Sequence, residues 1–446
     1  MTHLRPLTLL TLLAACRQAP PPSRSPVDAG TPALVVIEEG GALAPSPGDA
    51  PVDRMIRAAQ HAARENPRRT RPLLDLAQAF IRKAREQSDP AFYEQARDAI
   101  DRALRIDRDD AFALQVQAHL QMQDHRFREA RDAAQRIIDA HPQNSAPYGI
   151  LGDAEMELGH YDAAEHAYQR MLNMRPNLAS YTRASWMRWL LGDIDGAIDL
   201  GHRAIGAGNP RNPEELAWTM GQVGNLHLAV DDLDAARQQY ESALRTFPDD
   251  PPALLGMGRV LAARGDVPAA IERFRAAVRG SSTTEHLAAL AGALETAGRA
   301  SDAREVVAQL ERAGRRSDPR TLATYYADRD VEHDAAVELA RRELGNRDQD
   351  VFSQDALAWA LFRAGQLDEA QRMSTLARRL NTPEAKFLFH GGMIALARRD
   401  RAEARSLLSD ALQLNPHMDP RNVREARAAL ASIGGDAGTG PRGDAR

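Results

Sequence analysis

The sequence has one cysteine, Cys16, among 446 residues, and aromatic residues make up only 5 % of it. A single cysteine excludes an intrachain disulfide and a cysteine-rich zinc site. The net charge is −5, and no block of lysine and arginine is present that would neutralise nucleic-acid phosphates. After the first fifteen residues, no apolar run approaches the ~20 residues that a membrane-spanning helix needs.

Catalytic motifs are also missing from the sequence. The thirteen histidines are scattered, and none of them forms an HExxH pattern. The HGGM stretch at His390 lies inside a helical pattern, and the GMG stretch at 256–258 lacks the third glycine of a dinucleotide-binding loop. We therefore predict a protein that is not an enzyme and that binds no metal and no dissociable cofactor.

The first fifteen residues read as a secretory signal peptide. His3 and Arg5 give a basic start, an apolar run follows, and Ala14 and Ala15 supply small residues directly before Cys16. The resulting LAAC stretch resembles the lipobox of bacterial lipoproteins. The resemblance implies cleavage before Cys16 and lipid on its sulfur and on the new amino group. A conventional signal peptide with an incidental cysteine is the alternative.

The resemblance to lipoproteins also implies a location, the bacterial cell envelope, with the protein lipid-anchored and facing the periplasm. Arg17 stands where an aspartate often directs retention in the inner membrane, so the outer membrane is favoured. Several acyl chains hold a protein on a bilayer almost permanently, because each buried methylene contributes ~0.8 kcal/mol.

Residues 16–50 are rich in proline, glycine, serine and alanine, which predicts a disordered tether that reaches up to ~100 Å from the bilayer. One β-prone patch, residues 33–40 (ALVVIEEG), is either a stray apolar stretch or a segment that docks on a partner or on the chain's own groove. Residues 433–446 are a second low-complexity segment, predicted to be a disordered tail.

Between these ends, helical patterns recur with a fixed period. The stretch APYGILGDAEMELGHYDAAEHAYQRMLNMRPN, which starts at Ala146, returns in variant form along the chain. Small residues and prolines recur 34 residues apart, at Ala130 and Ala164, Pro142 and Pro176, Ala236 and Ala270, and Ala370 and Ala404. This pattern resembles the tetratricopeptide repeat, a pair of antiparallel helices that buries its apolar face only by stacking on its neighbours.

The resemblance covers roughly 85 % of the chain and predicts an all-α fold. We expect an α-solenoid of about ten helical hairpins over residues 51–432, wound as a right-handed superhelix. An irregular unit precedes Ala111, a single helix precedes that unit, and a polar capping helix ends the array. Full units are expected to begin near Ala111, Ser145, Leu178, Ala217, Pro251, Thr284, Ser317, Val351 and Ala385.

The first helices of the hairpins carry large side chains on the face opposite their packing stripe, which predicts a concave groove for a protein or peptide partner. All four tryptophans fall on this face. Its predicted members are Phe112, Met122, Met156, Trp186, Trp189, Trp218, Asn225, Leu228, Phe352, Trp359, Phe362, Phe389 and Met393. The alternative is that these rings pack between neighbouring first helices as core.

Taken with the resemblances, these features predict a membrane-anchored periplasmic scaffold or assembly factor that holds envelope proteins. Lipoproteins of this kind often assist pilus, secretion or outer-membrane machinery. Two alternatives stay open, a non-catalytic regulatory subunit of a peptidoglycan or proteolytic enzyme and an enzyme with a hidden site. The partner, the membrane and the oligomeric state do not follow from the sequence.

Overall fold

Alanine, leucine and arginine favour helices, and the described part of the chain is helical throughout. The computed structural model describes residues 41–44, 48–87 and 91–435. Within these ranges there are 22 α-helices and no strand. The predicted signal peptide, Cys16, the patch at 33–40 and the segment 436–446 lie outside the described residues.

The helices are short and follow one another with brief turns. Their bounds are α1 Pro51–Glu65, α2 Arg71–Gln87, α3 Ala91–Ile106, α4 Ala111–Gln123, α5 Phe127–Ala140, α6 Ala146–Leu158, α7 Tyr161–Met174, α8 Leu178–Leu190, α9 Ile194–Gly206, α10 Pro213–Ala229, α11 Leu233–Thr246, α12 Pro251–Ala263, α13 Val267–Gly280, α14 Thr284–Thr296, α15 Ala300–Ser317, α16 Pro319–Asp328, α17 His333–Asn346, α18 Val351–Arg363, α19 Leu367–Ala377, α20 Ala385–Ala397, α21 Arg401–Leu414 and α22 Pro420–Gly435.

Nine pairs of consecutive helices pack as hairpins, α2 with α3, α4 with α5, and α8 with α9 through to α20 with α21, and this confirms the predicted all-α repeat array. Most first helices begin at the expected residue or next to it. The largest difference is α10, which begins at Pro213 instead of near Ala217. A proline fits the first turn of a helix, where its missing N–H group would have no partner anyway. This proline starts α10 one turn early.

Small residues let the two helices of a hairpin approach closely. A Cβ added to Gly224 would lie 2.6 Å from the Tyr240 ring, so only glycine fits opposite this tyrosine. The alanines of the repeat, such as Ala164 and Ala236, are fully buried. The small residues leave space between the paired helices, and aromatic rings fill it. The Tyr240 ring is fully buried in this way.

The described residues fall into two compact units, one ending at Glu155 and one beginning at Met156. In the first unit, the buried Lys83 ammonium lies 2.7 Å from the Asp53 carboxylate and 4.4 Å from the Phe92 ring centroid. This ion pair links α1 to α2. None of the helices in either described unit is both long and apolar enough to cross a lipid bilayer.

The folded body starts before α1, which corrects the prediction of a disordered tether as far as residue 50. Gly41–Leu43 forms one turn of 3-10 helix, and Ala42 and Leu43 are buried. The Gln60 amide donates hydrogen bonds to the carbonyls of Ala42 and Ala44, at 2.9 and 2.7 Å. These hydrogen bonds run from a helix side chain to the backbone of the segment. They do not depend on the segment's own side chains, so its low-complexity composition did not predict that it packs on α1.

Candidate partner-binding face and the interface that closes the second unit

Most of the thirteen residues predicted to line a groove are buried in the structure. Eight of them are buried, which corrects the expectation of an open surface at Met122, Met156, Trp186, Trp189, Leu228, Phe352, Trp359 and Phe389. The other five are half-buried, namely Phe112, Trp218, Asn225, Phe362 and Met393. The eight buried side chains contact the chain's own atoms, so only the second set is available to a partner.

Trp186 and Trp189 are covered by aromatic rings from later repeats of the same unit. The Phe352 ring of α18 stacks on both indoles of α8, with centroids 6.4 and 6.1 Å apart. Phe387 of α20 adds a tilted contact, with its ring centroid 5.3 Å from that of Phe352. Such pairs contribute ~0.5–1.5 kcal/mol beyond their buried area. Side chains of the second unit therefore cover this part of the predicted groove.

This stack belongs to a larger contact, which we call the closing interface. It joins residues 157–161, 190–192 and 228–231 of the early repeats to residues 347–352, 381–382 and 415–417 of the late repeats. In each case, residues at the end of an early first helix or just after it meet residues in the turn before a late helix or at its start. The second unit thus closes on itself through three contacts of similar kind.

The first contact of the closing interface is centred on Tyr161. Its hydroxyl donates a hydrogen bond to the Asp350 carboxylate at 3.2 Å and accepts one from the backbone N–H of Val351 at 2.9 Å. Gly159 makes the approach possible. Its φ of +81° favours glycine, and a Cβ there would lie 2.1 Å from the carbonyl carbon of Gln349.

The other two contacts use side chains that donate to a carbonyl at a helix end. The Thr382 hydroxyl donates to the Leu190 carbonyl at 2.6 Å, and the Asn415 amide donates to the Leu228 carbonyl at 2.9 Å. Both carbonyls belong to the last turns of first helices, and the Leu228 carbonyl also accepts a hydrogen bond from the backbone N–H of Asp231 at 3.3 Å. Beside the third contact, the His417 imidazole lies 2.7 Å from the Asp231 carboxylate.

Trp359 belongs to a buried polar cluster that joins three consecutive first helices, α16, α18 and α20. Its indole N–H donates to the Asp328 carboxylate at 2.9 Å, and the Lys386 ammonium donates to the same group at 3.2 Å. His390 stacks on the Trp359 ring, 4.2 Å between centroids, and its Nδ1 lies 2.9 Å from Asp355. These bonds leave Trp359 no exposed surface.

Asp328 and Lys386 form a buried ion pair within this cluster. Burial opposes ionisation of Asp328, but the Lys386 ammonium and the His390 imidazole outweigh it and hold the pKa of Asp328 well below its usual range. Burial likewise works against the charged lysine, yet Asp328 raises the pKa of Lys386 above its ordinary value. Both groups are therefore charged at neutral pH, and the pair fixes α16 against α20.

Charged residues on the first helices were missed by the sequence reasoning, which followed apolar side chains. Glu295 accepts hydrogen bonds from Arg329 at 2.7 Å, from Arg421 at 3.0 Å and from the Tyr325 hydroxyl at 2.9 Å. The Arg329 guanidinium overcomes the effect of burial and lowers the pKa of Glu295. Glu295, Arg329 and Arg363 are spaced by the repeat period, so the period could have revealed them.

The half-buried residues define what this face offers to a partner. Trp218 of α10, Phe362 of α18 and Met393 of α20 present part of their apolar surface. The Asn225 side-chain oxygen accepts a hydrogen bond from the Tyr240 hydroxyl at 2.7 Å, so this oxygen is already bonded within the protein. Within the described residues, no group of three metal-ligating side chains comes together. Apolar contact beside arginine and glutamate suits a protein or peptide ligand.

The tetratricopeptide repeat family profile matches the sequence at residues 121–184, 224–285 and 356–419. These matches fall on the helical hairpins described above. The chain is a tetratricopeptide repeat protein. Repeats of this family are generally non-catalytic modules that bind proteins or peptides. No curated protein matches this tetratricopeptide repeat chain.

Several solved structures resemble this tetratricopeptide repeat protein at low identity. PilW, a type IV pilus biogenesis factor, is 17 % identical with a TM-score of 0.39, over 45 % of this chain and 92 % of PilW. A thermophilic repeat protein of Thermus thermophilus is 21 % identical with a TM-score of 0.36, over 42 % of this chain and 99 % of its own. Human IFIT1 is 12 % identical with a TM-score of 0.47, over 82 % of this chain and 87 % of its own.

Proposed function

We propose that this protein is a lipid-anchored scaffold of the bacterial envelope that faces the periplasm and holds envelope proteins on the first helices of its repeats. The anchor is the lipid on Cys16 that the LAAC stretch implies, and Arg17 favours the outer membrane. The partner is a protein or peptide with an apolar surface. The chain's part in the complex is to position that partner, and it carries out no reaction.

One observation supports the binding part of this proposal above the others. Trp218, Phe362 and Met393 remain half-buried on first helices, while the neighbouring rings of the predicted groove are covered. Partly exposed tryptophan, phenylalanine and methionine are the side chains that interfaces use as anchors. The Arg363 guanidinium lies 4.3 Å from the Trp359 ring and pairs with Glu425 at 2.7 Å, so a charged border adjoins the apolar surface.

The test is crosslinking in intact cells, followed by purification of the chain from membranes. The wild-type protein is compared with Cys16→Ala and with a Trp218→Ala, Phe362→Ala double variant. Leu376→Ala on α19 is the matched control, because Leu376 is an exposed apolar side chain (41 % exposed) outside the predicted groove. Circular dichroism of each variant verifies that it is folded.

We expect Cys16→Ala to leave the membrane fraction and to lose the lipid mass on the mature N-terminus. The double variant is expected to stay in the membrane and to lose a partner that the wild type and Leu376→Ala both retain. A bare N-terminal amine on the wild-type protein would contradict the anchor. Equal capture by all folded variants would contradict the binding face. Co-purification of a hydrolase whose activity changes on binding would favour the regulatory-subunit alternative.

A further inference from the structure

The turn that follows a first helix has the same backbone geometry along the second unit. Its central residue has a positive φ, and the N–H of that residue donates to the carbonyl three residues earlier. The closing interface covers three of these turns, those of Gly159, Gly192 and Asp231. Five later turns lie outside the closing interface, those of Gly265, Gly298, Asp330, Gly365 and Arg399. The later turns repeat a backbone surface that is a contact site elsewhere in the same unit.

The last three turns, which we call the open turns, comprise residues 330–332, 365–366 and 398–400, and all of these residues are exposed. A Cβ added to Gly365 meets no atom within 4 Å, whereas one added to Gly192 lies 3.1 Å from the Asn381 carbonyl oxygen. Val331 is a large apolar side chain that is 45 % exposed. A hollow of about 560 Å³ is lined by residues 332–335 and 363–365. The open turns are therefore available to receive a segment.

The segments that cover the early turns all come directly before or at the start of a late first helix. Segments at the same place before α8, α10 and α12 are exposed, and we call these residues, 175–176, 209–212 and 248–249, the start segments. The second start segment has the local geometry of the third contact. The Arg211 N–H donates to the Asn209 side-chain oxygen at 3.0 Å, as the His417 N–H does to Asn415 at 2.9 Å.

The charges of the start segments and the open turns are complementary when the two sets are taken in the same order. Asp330 at the first open turn and Glu332 in the hollow beside the second are negative, and Arg399 at the third is positive. The first two start segments carry positive charge, from Arg175 and Arg211, and the third carries the Asp249 carboxylate. In the reverse order, like charges would face one another. The closing interface also joins its segments and turns in the same order.

Existing ion pairs leave these charges available. The Asp330 carboxylate lies 3.0 Å from the exposed His333 imidazole, and a carboxylate has room for further donors. Arg363, which also lines the hollow, is paired with Glu425. The remaining charged side chains of the two sets have no side-chain partner in the described part of the chain, namely Glu332, Arg399, Arg175, Arg211 and Asp249.

We propose that the open turns bind the start segments of a second copy of this chain. The ends of α16, α18 and α20 in one molecule then meet the segments before α8, α10 and α12 in the next. The two surfaces differ, so the contact is heterologous and leaves one surface of each kind open for further copies. The protein thus assembles head to tail, by forming between copies the kind of contact that closes the second unit.

The test is sedimentation velocity of the full chain carrying Cys16→Ala, so that no lipid drives association. Exposed ion pairs are weak and are screened by salt. We therefore expect a dissociation constant between about 1 μM and about 1 mM at low salt, weaker binding at high salt, and species larger than a dimer at high concentration.

Charge reversal tests the two surfaces separately. The double variant Arg175→Asp, Arg211→Asp changes the start segments, and the double variant Asp330→Arg, Glu332→Arg changes the open turns. Each is expected to weaken self-association about tenfold or more, because like charges then face one another. An equal mixture of the two should associate again, since each supplies the intact surface that the other lacks. The matched control is Arg237→Asp, Arg273→Asp, which changes exposed arginines in the middle of α11 and α13 and should associate like the wild type.

Engineered cysteines test the order of the contact. In the Cys16→Ala chain, which has no other cysteine, a mixture of Pro176→Cys and Val331→Cys molecules should form mixed disulfide dimers on mild oxidation. A mixture of Pro248→Cys and Val331→Cys is the control and should not, because these residues belong to the third start segment and the first open turn. Circular dichroism verifies that each variant is folded, and the cysteine pairs still decide the question if a charge-reversed variant is not.

Four results would overturn head-to-tail assembly. The wild-type chain could sediment as a monomer up to about 1 mM. Both charge-reversed variants could associate like the wild type. Pro248→Cys could crosslink to Val331→Cys as readily as Pro176→Cys does. Finally, Val331→Cys could crosslink in intact cells to a different protein and not to a second copy, which would assign the open turns to another partner.

Discussion

The Trp189 indole lies nearly parallel to the Phe352 ring, with centroids 6.1 Å apart and an angle of 13° between their planes. Helix α8 carries the indole and helix α18 carries the phenyl ring, so many repeats separate the two in sequence. The contact gives the second unit an internal closure that single helical hairpins do not have. Stability measurements test the closing interface, and partner binding tests the surface that remains available.

Truncation of Trp189 should affect stability, whereas truncation of Trp218 should affect binding. Trp189 has no exposed surface, so Trp189→Ala is expected to cost about 3–5 kcal/mol of unfolding free energy through the cavity it leaves. Trp218 is half-buried, and its removal should cost about 1 kcal/mol or less. Urea denaturation measures both. A larger loss from Trp218→Ala than from Trp189→Ala would contradict the assignment of core and surface.

Replacement of Gly159 tests the close approach at the first contact. Gly159 and Gly265 have similar φ values, +81° and +86°, and both occupy the turn inside a hairpin. Alanine at either position costs ~1–2 kcal/mol for the left-handed conformation. Only Gly159→Ala also meets backbone atoms, because nothing lies within 4 Å of a Cβ at Gly265. Thermal unfolding should show the larger loss for Gly159→Ala, and equal losses would argue against the contact.

The hydrogen bond from Thr382 to Leu190 should contribute measurably to stability. Thr382→Val leaves the buried Leu190 carbonyl without its donor, which is expected to cost about 1–3 kcal/mol. Thr375→Val is the matched control, since the Thr375 hydroxyl is exposed and bonds to the Gln371 carbonyl of its own helix. Chemical denaturation should separate the two variants. A loss of similar size in both would mean that the second contact adds nothing.

Replacement of Asp328 tests the buried polar cluster. Asp328→Asn removes the carboxylate that pairs directly with the buried Lys386 ammonium, so we expect a loss of about 3–5 kcal/mol. Asp368→Asn is the control, because Asp368 pairs with Arg398 at an exposed site where such pairs contribute little. Denaturation at neutral pH compares the two, and losses of similar size would contradict a special role for the cluster.

The pH dependence of stability gives a second test of Asp328. Its folded-state pKa lies below the ordinary value, so its contribution to stability is present above about pH 4 and is lost as the pH falls further. The Asn variant should show a smaller loss of stability on acidification than the wild type. Parallel curves for the two proteins below pH 4 would contradict the assigned charge state.

The positions of the helices were predictable because the repeat pattern is local. The predicted start at Ala111 is the observed start of α4, and Ser145 lies one residue before α6. The burial of Trp186 was not predictable in the same way. A ring on the outer face of a helix can be covered by a partner or by a distant part of its own chain, and one helix's sequence does not distinguish the two.

The docking of Gly41–Leu43 has a consequence for the geometry of anchoring. If Cys16 carries the lipid, the stretch between the bilayer and the folded body ends at residue 41 and not at residue 50. A fully extended chain of that length spans roughly 80 Å. This sets an upper limit on the distance between the bilayer and the start of the folded body, to which the repeats add their own length.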